Sequence, residues 1–331
     1  MIKIAVDVMS GDNSPHILIN GAVRASREKD IHVIIVGNRS LIKDELLKHQ
    51  EFDHSKVSIC HADDVIEMHE SPAKTCKSKP NSSVMVSARL VANGEANAYV
   101  SPGNSGATMT ASLLNLKRIK GIKRPAIATP MPRLNGSTLL LDAGANMDSK
   151  PEHLLQQAII GSIYVSKMSK IKKPKVALLS IGEESVKGND LVFDTYKLLK
   201  KEKTINFIGN VEGKDLNTDK CDVVICDGFV GNVVLKVSEG VASVVIKFFK
   251  QEIKKSIVRR LVAFFLLPVF AALKSKVDAK EHGGALLLGT NGITIISHGN
   301  ADDTAICNAI KFAAVCVGND LNLELKGYFK R

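Results

Sequence analysis

The chain alternates between short apolar runs and longer stretches in which apolar positions recur every three or four residues. The short runs lie at 2–8, 31–36, 57–59, 98–100, 126–129, 137–141, 176–179, 205–208, 223–226 and 293–296. Most end in Gly, Asp, Asn or Ser and lack the polar alternation of a strand with one wet face. They therefore predict parallel strands covered on both sides. The longer stretches predict helices over 15–28, 40–49, 82–93, 107–116, 151–168, 189–201 and 302–321, with Pro15 and Pro151 suited to a first helical turn. This alternation predicts a doubly wound, three-layer αβα sandwich, a single α/β domain over 1–331.

One segment breaks the rhythm. From 233 to 280 there is no strand pattern, and the spacing predicts a projecting helical hairpin. The run LVAFFLLPVFAAL at 261–273 is too short for a bilayer, which needs about 20 apolar residues. It carries Phe264, Phe265, Leu266 and Phe270. Lys250, Lys254, Lys255, Arg259, Arg260, Lys274 and Lys276 surround it, against the single acid Glu252. Flanking bases and clustered Phe fit a helix lying in a membrane interface. The same aromatics equally fit a dimer contact, and one hairpin can serve both.

Composition narrows the class. Hydrophobic residues make up 45% of the chain while aromatics are 5% with no Trp, so the core must be built from Val, Ile, Leu and Ala. The formal charge of +11 favours acidic partners. Nucleic acid is the weakest of these, because no helix-turn-helix, zinc spacing or interleaving of aromatic and basic residues is present. The six cysteines form no C-x-x-C pair and read as reduced structural thiols. The start MIKIAVDVMSGD reads as a strand and loop rather than a signal peptide, which places the expected location in the cytoplasm.

The chemistry is expected in loops at strand ends, where open α/β sheets bind ligands. The first, beginning at Asp7, brackets a glycine turn with Asp7 and Asp12. The second, SPGNSGA at 101–107, places Gly103, Asn104, Ser105 and Gly106 before a helix, whose free N–H groups and positive dipole end suit an anion. It is neither a Walker A loop nor a G-x-G-x-x-G fingerprint, so ATP and NAD gain no support. The third holds Asp142, Asn146 and Asp148, which could bind Mg²⁺, orient another side chain or cap a helix. The fourth, GEESVKGND, presents Lys187 as a point charge for a phosphate or a developing oxyanion. In the fifth, Asp227 ends a buried strand and needs a partner, for which Lys187 is a candidate. His282 and His298 form a weaker sixth site.

Taken in order, these loops resemble one family, the bacterial phosphate acyltransferases of the PlsX type. The stretches that carry the resemblance are IAVDVMSGDNSP, HADDVIE, SPGNSGATMTA, RIKGIKRPAIA, LLDAGANMDSKPEHL, GEESVKGND, INFIGNVEG, CDGFVGNVVLK and GGALLLG followed by SHGNAD, spanning 4–302. Departures are Asn13, where the family has His, His282, where it has Tyr, and the relaxed Ser101-Pro102 start of the anion loop. The resemblance implies the fold of the isocitrate dehydrogenase and phosphotransacetylase group, with no cofactor or metal. It implies that acyl-phosphate forms from long-chain acyl-[acyl-carrier-protein] and inorganic phosphate, supplying phospholipid synthesis. In that reaction the Gly103–Gly106 turn holds phosphate and Lys187, Asp227 and Asn232 are catalytic. Asp7, Asp142, Asn146 and His282 support them. It further implies a homodimer, an anionic membrane surface and a membrane acyltransferase that consumes the product. The rival readings are a short-chain acyl-CoA phosphotransacetylase, a metal- and NAD-dependent decarboxylating dehydrogenase and a non-catalytic scaffold.

Overall fold

The computed structural model describes residues 1–49, 52–270 and 283–330. The first half runs β1 (Ile2–Asp7), α1 (Pro15–Ser26), β2 (Ile31–Gly37), α2 (Arg39–Leu46), β3 (Val57–His61), α3 (Pro72–Ser78), α4 (Ser83–Ala92), β4 (Ala98–Ser101) and α5 (Ser105–Asn115). Then follow β5 (Ala126–Arg133), β6 (Gly136–Leu141), α6 (Pro151–Met168), β7 (Lys175–Leu179), α7 (Asp190–Lys201), β8 (Asn206–Val211), β9 (Val223–Ile225), α8 (Gly228–Lys254) and α9 (Ile257–Phe265). The chain closes with β10 (Ala285–Leu288), β11 (Ile293–Ile296), α10 (Asp303–Gly318) and α11 (Leu321–Phe329).

All eleven described strands join one sheet in the order β3-β2-β1-β4-β11-β10-β5-β6-β9-β7-β8. Successive residues feed opposite faces, as strand geometry requires. Ile4, Val6, Ala98 and Val100 enter a core shared with α1, α6 and α10, while Ala5, Val36 and Tyr99 enter one shared with α4 and α5. Helices on both faces give the expected sandwich.

The expectation of a uniformly parallel sheet is corrected. The β11–β10, β10–β5 and β5–β6 junctions are antiparallel. A hairpin closing through Leu134 and Asn135, with Gly136 (φ 100) opening β6, forces the last of these. Strand β5 continues through Pro130 and Pro132, residues that read as its end in sequence. Strand β10 lies in the stretch GGALLLG, where the apolar pattern predicts no strand. As a result β1, β2, β3, β4 and β11 run one way, whereas β6, β7, β8 and β9 run the other.

The projecting arm begins earlier than 233. Helix α8 starts at Gly228, and only Gly228 and Gly231 of its 27 residues are buried. It breaks at Lys255 and Ser256 before α9. The chain then turns back, bringing the Phe270 ring against Phe249 at 6.5 Å between centroids and Arg259 to Glu252 at 2.7 Å. The remainder of the expected hairpin, 271–280, lies outside the described residues. By length and composition α8 is the one described helix able to cross a bilayer, yet it carries the Lys236–Glu239 ion pair within its span.

Candidate active site

The strand-end loops fall into two groups, one for each strand direction. The first surrounds α5. Asp7 is buried at the end of β1, and its carboxylate accepts from the N–H groups of Met9 and Ser10 at 3.1 and 3.2 Å and from the Ser101 hydroxyl at 2.8 Å. That hydroxyl accepts in turn from the N–H of Gly103 at 3.2 Å. Asp7 thus sets the shape of the turn without reaching its mouth. The Asn104 carboxamide is equally occupied. Its oxygen caps Ala107 N–H at 3.2 Å, and its nitrogen donates to Met68 and Glu70 carbonyls at 2.9 and 3.4 Å. The groups that α5 leaves for an anion are the N–H groups of Ser105 and Gly106, which have no intrahelical acceptor, and the exposed Ser105 side chain. A Cβ on Gly103 would stand 2.7 Å from the Ser10 Cβ, and one on Gly106 2.7 Å from the Pro72 Cγ, so the turn closes only with glycine at both places.

Asn13, where the resemblance leads one to expect His, belongs to the frame of this group. Its side chain donates to the Ala301 carbonyl at 2.8 Å and ties the first loop to the loop after β11. His282 lies outside the described residues.

The second group lies at the adjacent ends of β6, β9 and β7. Asp142 is buried and accepts from five N–H donors. Oδ1 takes Ile127, Gly144 and Ala145 at 3.1, 3.1 and 2.9 Å, and Oδ2 takes the main chain and side chain of Asn146 at 2.8 and 2.7 Å. Burial pushes its carboxyl above the usual range, and these donors offset that only in part. Asp227 is a helix cap, accepting from Phe229 and Val230 N–H at 3.0 Å each. The expected Lys187 partner is therefore replaced by the first turn of α8, and no Asp227–Lys187 ion pair occurs among the described residues. The backbone of Lys187 is fixed, its carbonyl accepting from the Ser180 hydroxyl at 3.0 Å, while its ammonium is exposed and in no described ion pair. Asn232 stands half-buried against Gly144, its carboxamide with no hydrogen-bond partner among the described residues. Of the five residues Asp142, Asn146, Lys187, Asp227 and Asn232, the side chains of Lys187 and Asn232 are free for a ligand, and the other three hold the loops that present them.

A shared core cluster connects the groups. Met109 on α5 and Val234 and Leu235 on α8 pack against one set of buried residues, including Ile127, Met131, Leu140 and Ile296. The helices that begin at the two groups thus rest on the same apolar floor over β5 and β10. Sequence reasoning did not find this floor, because it is assembled from an unread strand and a helix read as starting later. Among the described residues no cluster of three or more His, Cys, Asp or Glu side chains is placed to hold a metal ion.

The fold is similar to that of solved phosphotransacetylases. The enzyme from Streptococcus pyogenes superposes with a TM-score of 0.65 at 17% identity, covering 95% of this chain and 93% of that one. The EutD phosphotransacetylase from Staphylococcus aureus gives 0.62 at 15% identity, covering 96% and 94%. The molecule is an α/β enzyme of phosphotransacetylase-like architecture. Relatives called Phosphate acyltransferase are much nearer in sequence: that of Desulfitobacterium hafniense (strain DSM 10664 / DCB-2) is 49% identical over 326 residues, 98% of this chain and 97% of the relative. That of Elusimicrobium minutum (strain Pei191) is 48% identical over 325 residues, 98% and 95% of the two chains. A family model described as "Fatty acid synthesis protein" matches residues 2–324. The chain belongs to this family, that of the PlsX-type phosphate acyltransferases, and is a transferase whose acyl chemistry involves phosphate.

Proposed function

We propose that the protein makes acyl-phosphate from long-chain acyl-[acyl-carrier-protein] and inorganic phosphate, and so feeds phospholipid synthesis. The observation that carries this reading is the glycine-tight start of α5, whose N–H groups at Ser105 and Gly106 suit a free phosphate and which lacks any nucleotide fingerprint. A phosphate oxygen attacks the thioester carbonyl carbon, forming a C–O bond and a tetrahedral oxyanion. Lys187 neutralises charge on the phosphate or the oxyanion, and Asn232 donates to it. Collapse breaks the C–S bond and expels the carrier thiolate. A thiol of pKa about 8.5 leaves readily near neutral pH, so no strong general acid is needed.

The same reading covers partners and place. The Val230, Val237, Val241, Val244 and Phe248 side chains are exposed on α8 at heptad-like spacing, which suits pairing with a second copy. Phe264, Phe265 and Leu266 are exposed near Arg259 and Arg260, which suits peripheral contact with an anionic membrane from the cytoplasmic side. There the product, with its apolar tail, passes to a membrane acyltransferase.

The test supplies long-chain acyl-carrier thioester with phosphate and traps product as hydroxamate, beside parallel assays with short acyl-CoA and with a 2-hydroxy acid plus NAD. Phosphate-dependent hydroxamate matched by free carrier thiol is expected. NADH formation, or turnover of short acyl-CoA alone, overturns the reading.

A further inference from the structure

The segment between α5 and β5 carries Lys117, Arg118, Lys120, Lys123 and Arg124 within eight residues, and all five are exposed. Between them Ile119 and Ile122 are buried, so the apolar residues anchor the segment and every charge faces outward. The backbone is held from several sides. Ile119 N–H donates to Gly289 at 3.0 Å, and Asn291 donates to the Leu116 and Arg118 carbonyls at 3.1 and 3.0 Å. Gln156 accepts from Lys123 N–H and donates to the Gly121 carbonyl, both at 2.8 Å. Gly121 has φ 94 with Phe329 packed where a Cβ would stand. The result is a rigid ridge rather than a loose basic tail.

Lys150 joins the ridge at the start of α6. Its N–H donates to His153 Nδ1 at 3.2 Å, and burial first, then Arg124, Lys123 and Lys150, lower the pKa of that histidine. None of these six cations makes a described ion pair, although many others on the chain do; the nearby acids are Asp148 and Glu152. Arg118 spends one donor on the Lys123 carbonyl. The ridge also abuts the second site group, since Asn146 donates to the Pro125 carbonyl at 2.7 Å and Ile127 N–H reaches Asp142.

From this we infer that the ridge of Lys117, Arg118, Lys120, Lys123, Arg124 and Lys150 is the docking surface for an acidic carrier protein that delivers the acyl thioester. The inference rests on the proposed function and adds where the carrier binds. Unpaired cations on a fixed backbone can dock without ordering a loop or breaking an internal ion pair, and they steer an acidic partner. A carrier with a tethered thioester must dock beside the reacting groups; a lipid surface has no such requirement, which favours the carrier over a membrane as the occupant.

The test compares Lys120→Glu/Arg124→Glu with Lys200→Glu/Lys201→Glu, which changes net charge equally on α7. Binding of holo-carrier protein is titrated by fluorescence anisotropy at low and high salt, and turnover is followed with a neutral acyl-N-acetylcysteamine thioester. The ridge variant is expected to weaken carrier binding about tenfold at low salt, less at high salt, with unchanged turnover of the neutral thioester. The α7 variant is expected to bind as the unaltered protein does. Equal binding by all three proteins overturns the inference, as does loss of binding to anionic vesicles with carrier binding intact. Failure of the unaltered protein to turn over carrier thioester while still binding carrier through the ridge would instead count against the proposed reaction.

Discussion

Asn146 grips Asp142 twice: its main-chain N–H and its side-chain nitrogen reach the same carboxylate oxygen, at 2.8 and 2.7 Å. The same side chain also donates to the Pro125 carbonyl at 2.7 Å, so one residue joins the end of β6 to the approach to β5. Asp142→Asn places an amide where five donors converge. It is expected to cost about 3 kcal/mol in urea unfolding, with activity falling as the site loosens.

Helix α8 begins in contact with that loop. A Cβ at Gly231 would collide with the Asp142 carbonyl, whereas one at Gly240 would meet nothing within 4 Å. Gly231→Ala is expected to lower stability by about 3 kcal/mol or to prevent folding. Gly240→Ala, in the same helix, is expected to raise the unfolding free energy by about 0.5–1 kcal/mol.

Lys187 is exposed and in no described ion pair, so its removal leaves the fold intact. Lys187→Ala is expected to cut acyl-phosphate formation about 100-fold or more with an unchanged melting temperature. Activity within a few-fold of the unaltered protein would remove it from the mechanism.

His153 reports on the ridge. Burial first, then Arg124, holds its pKa below the ordinary 6.5. Arg124→Glu is expected to raise that pKa, measured by NMR titration. The sign for stability follows: above pH 6.5 both folded and unfolded chains carry neutral His153. As pH falls below that value the unfolded chain takes up the proton first, so the folded state loses stability until its own lower pKa is passed.

Phe264→Glu with Phe265→Glu is expected to reduce recovery with anionic liposomes in flotation, without loss of turnover in solution. Unchanged flotation would leave the arm as a pairing element only.

The fold was legible where one physical rule dominates. Ile293–Ile296 and Pro151–Met168 match their apolar spacing residue for residue, because a buried strand and a helix between covered faces have little freedom. What could not be read depends on pairing. The Asn135–Gly136 pair at the Leu134–Asn135 turn carries a hairpin pattern, but Pro130 and Pro132 masked the strand before it. Asp320, with φ 52, divides the expected helix over 302–321 from α11, a backbone state that periodicity does not encode. Among site residues, chemical type and strand-end position were legible. Which of them are free was not, since Asn104 and Asp227 look like ligand groups until the N–H groups that occupy them are seen.

Helix α8 also behaves as a beam. Its 27 residues extend about 40 Å, and its only buried points, Gly228 and Gly231, lie within the first turn. A beam clamped at one end, here from Gly228 to Leu235, has its fulcrum there, so any tilt of the far tip is borne by the segment that contains Asn232. The residue proposed to face the ligand and the surface that meets the outside are thereby parts of one lever.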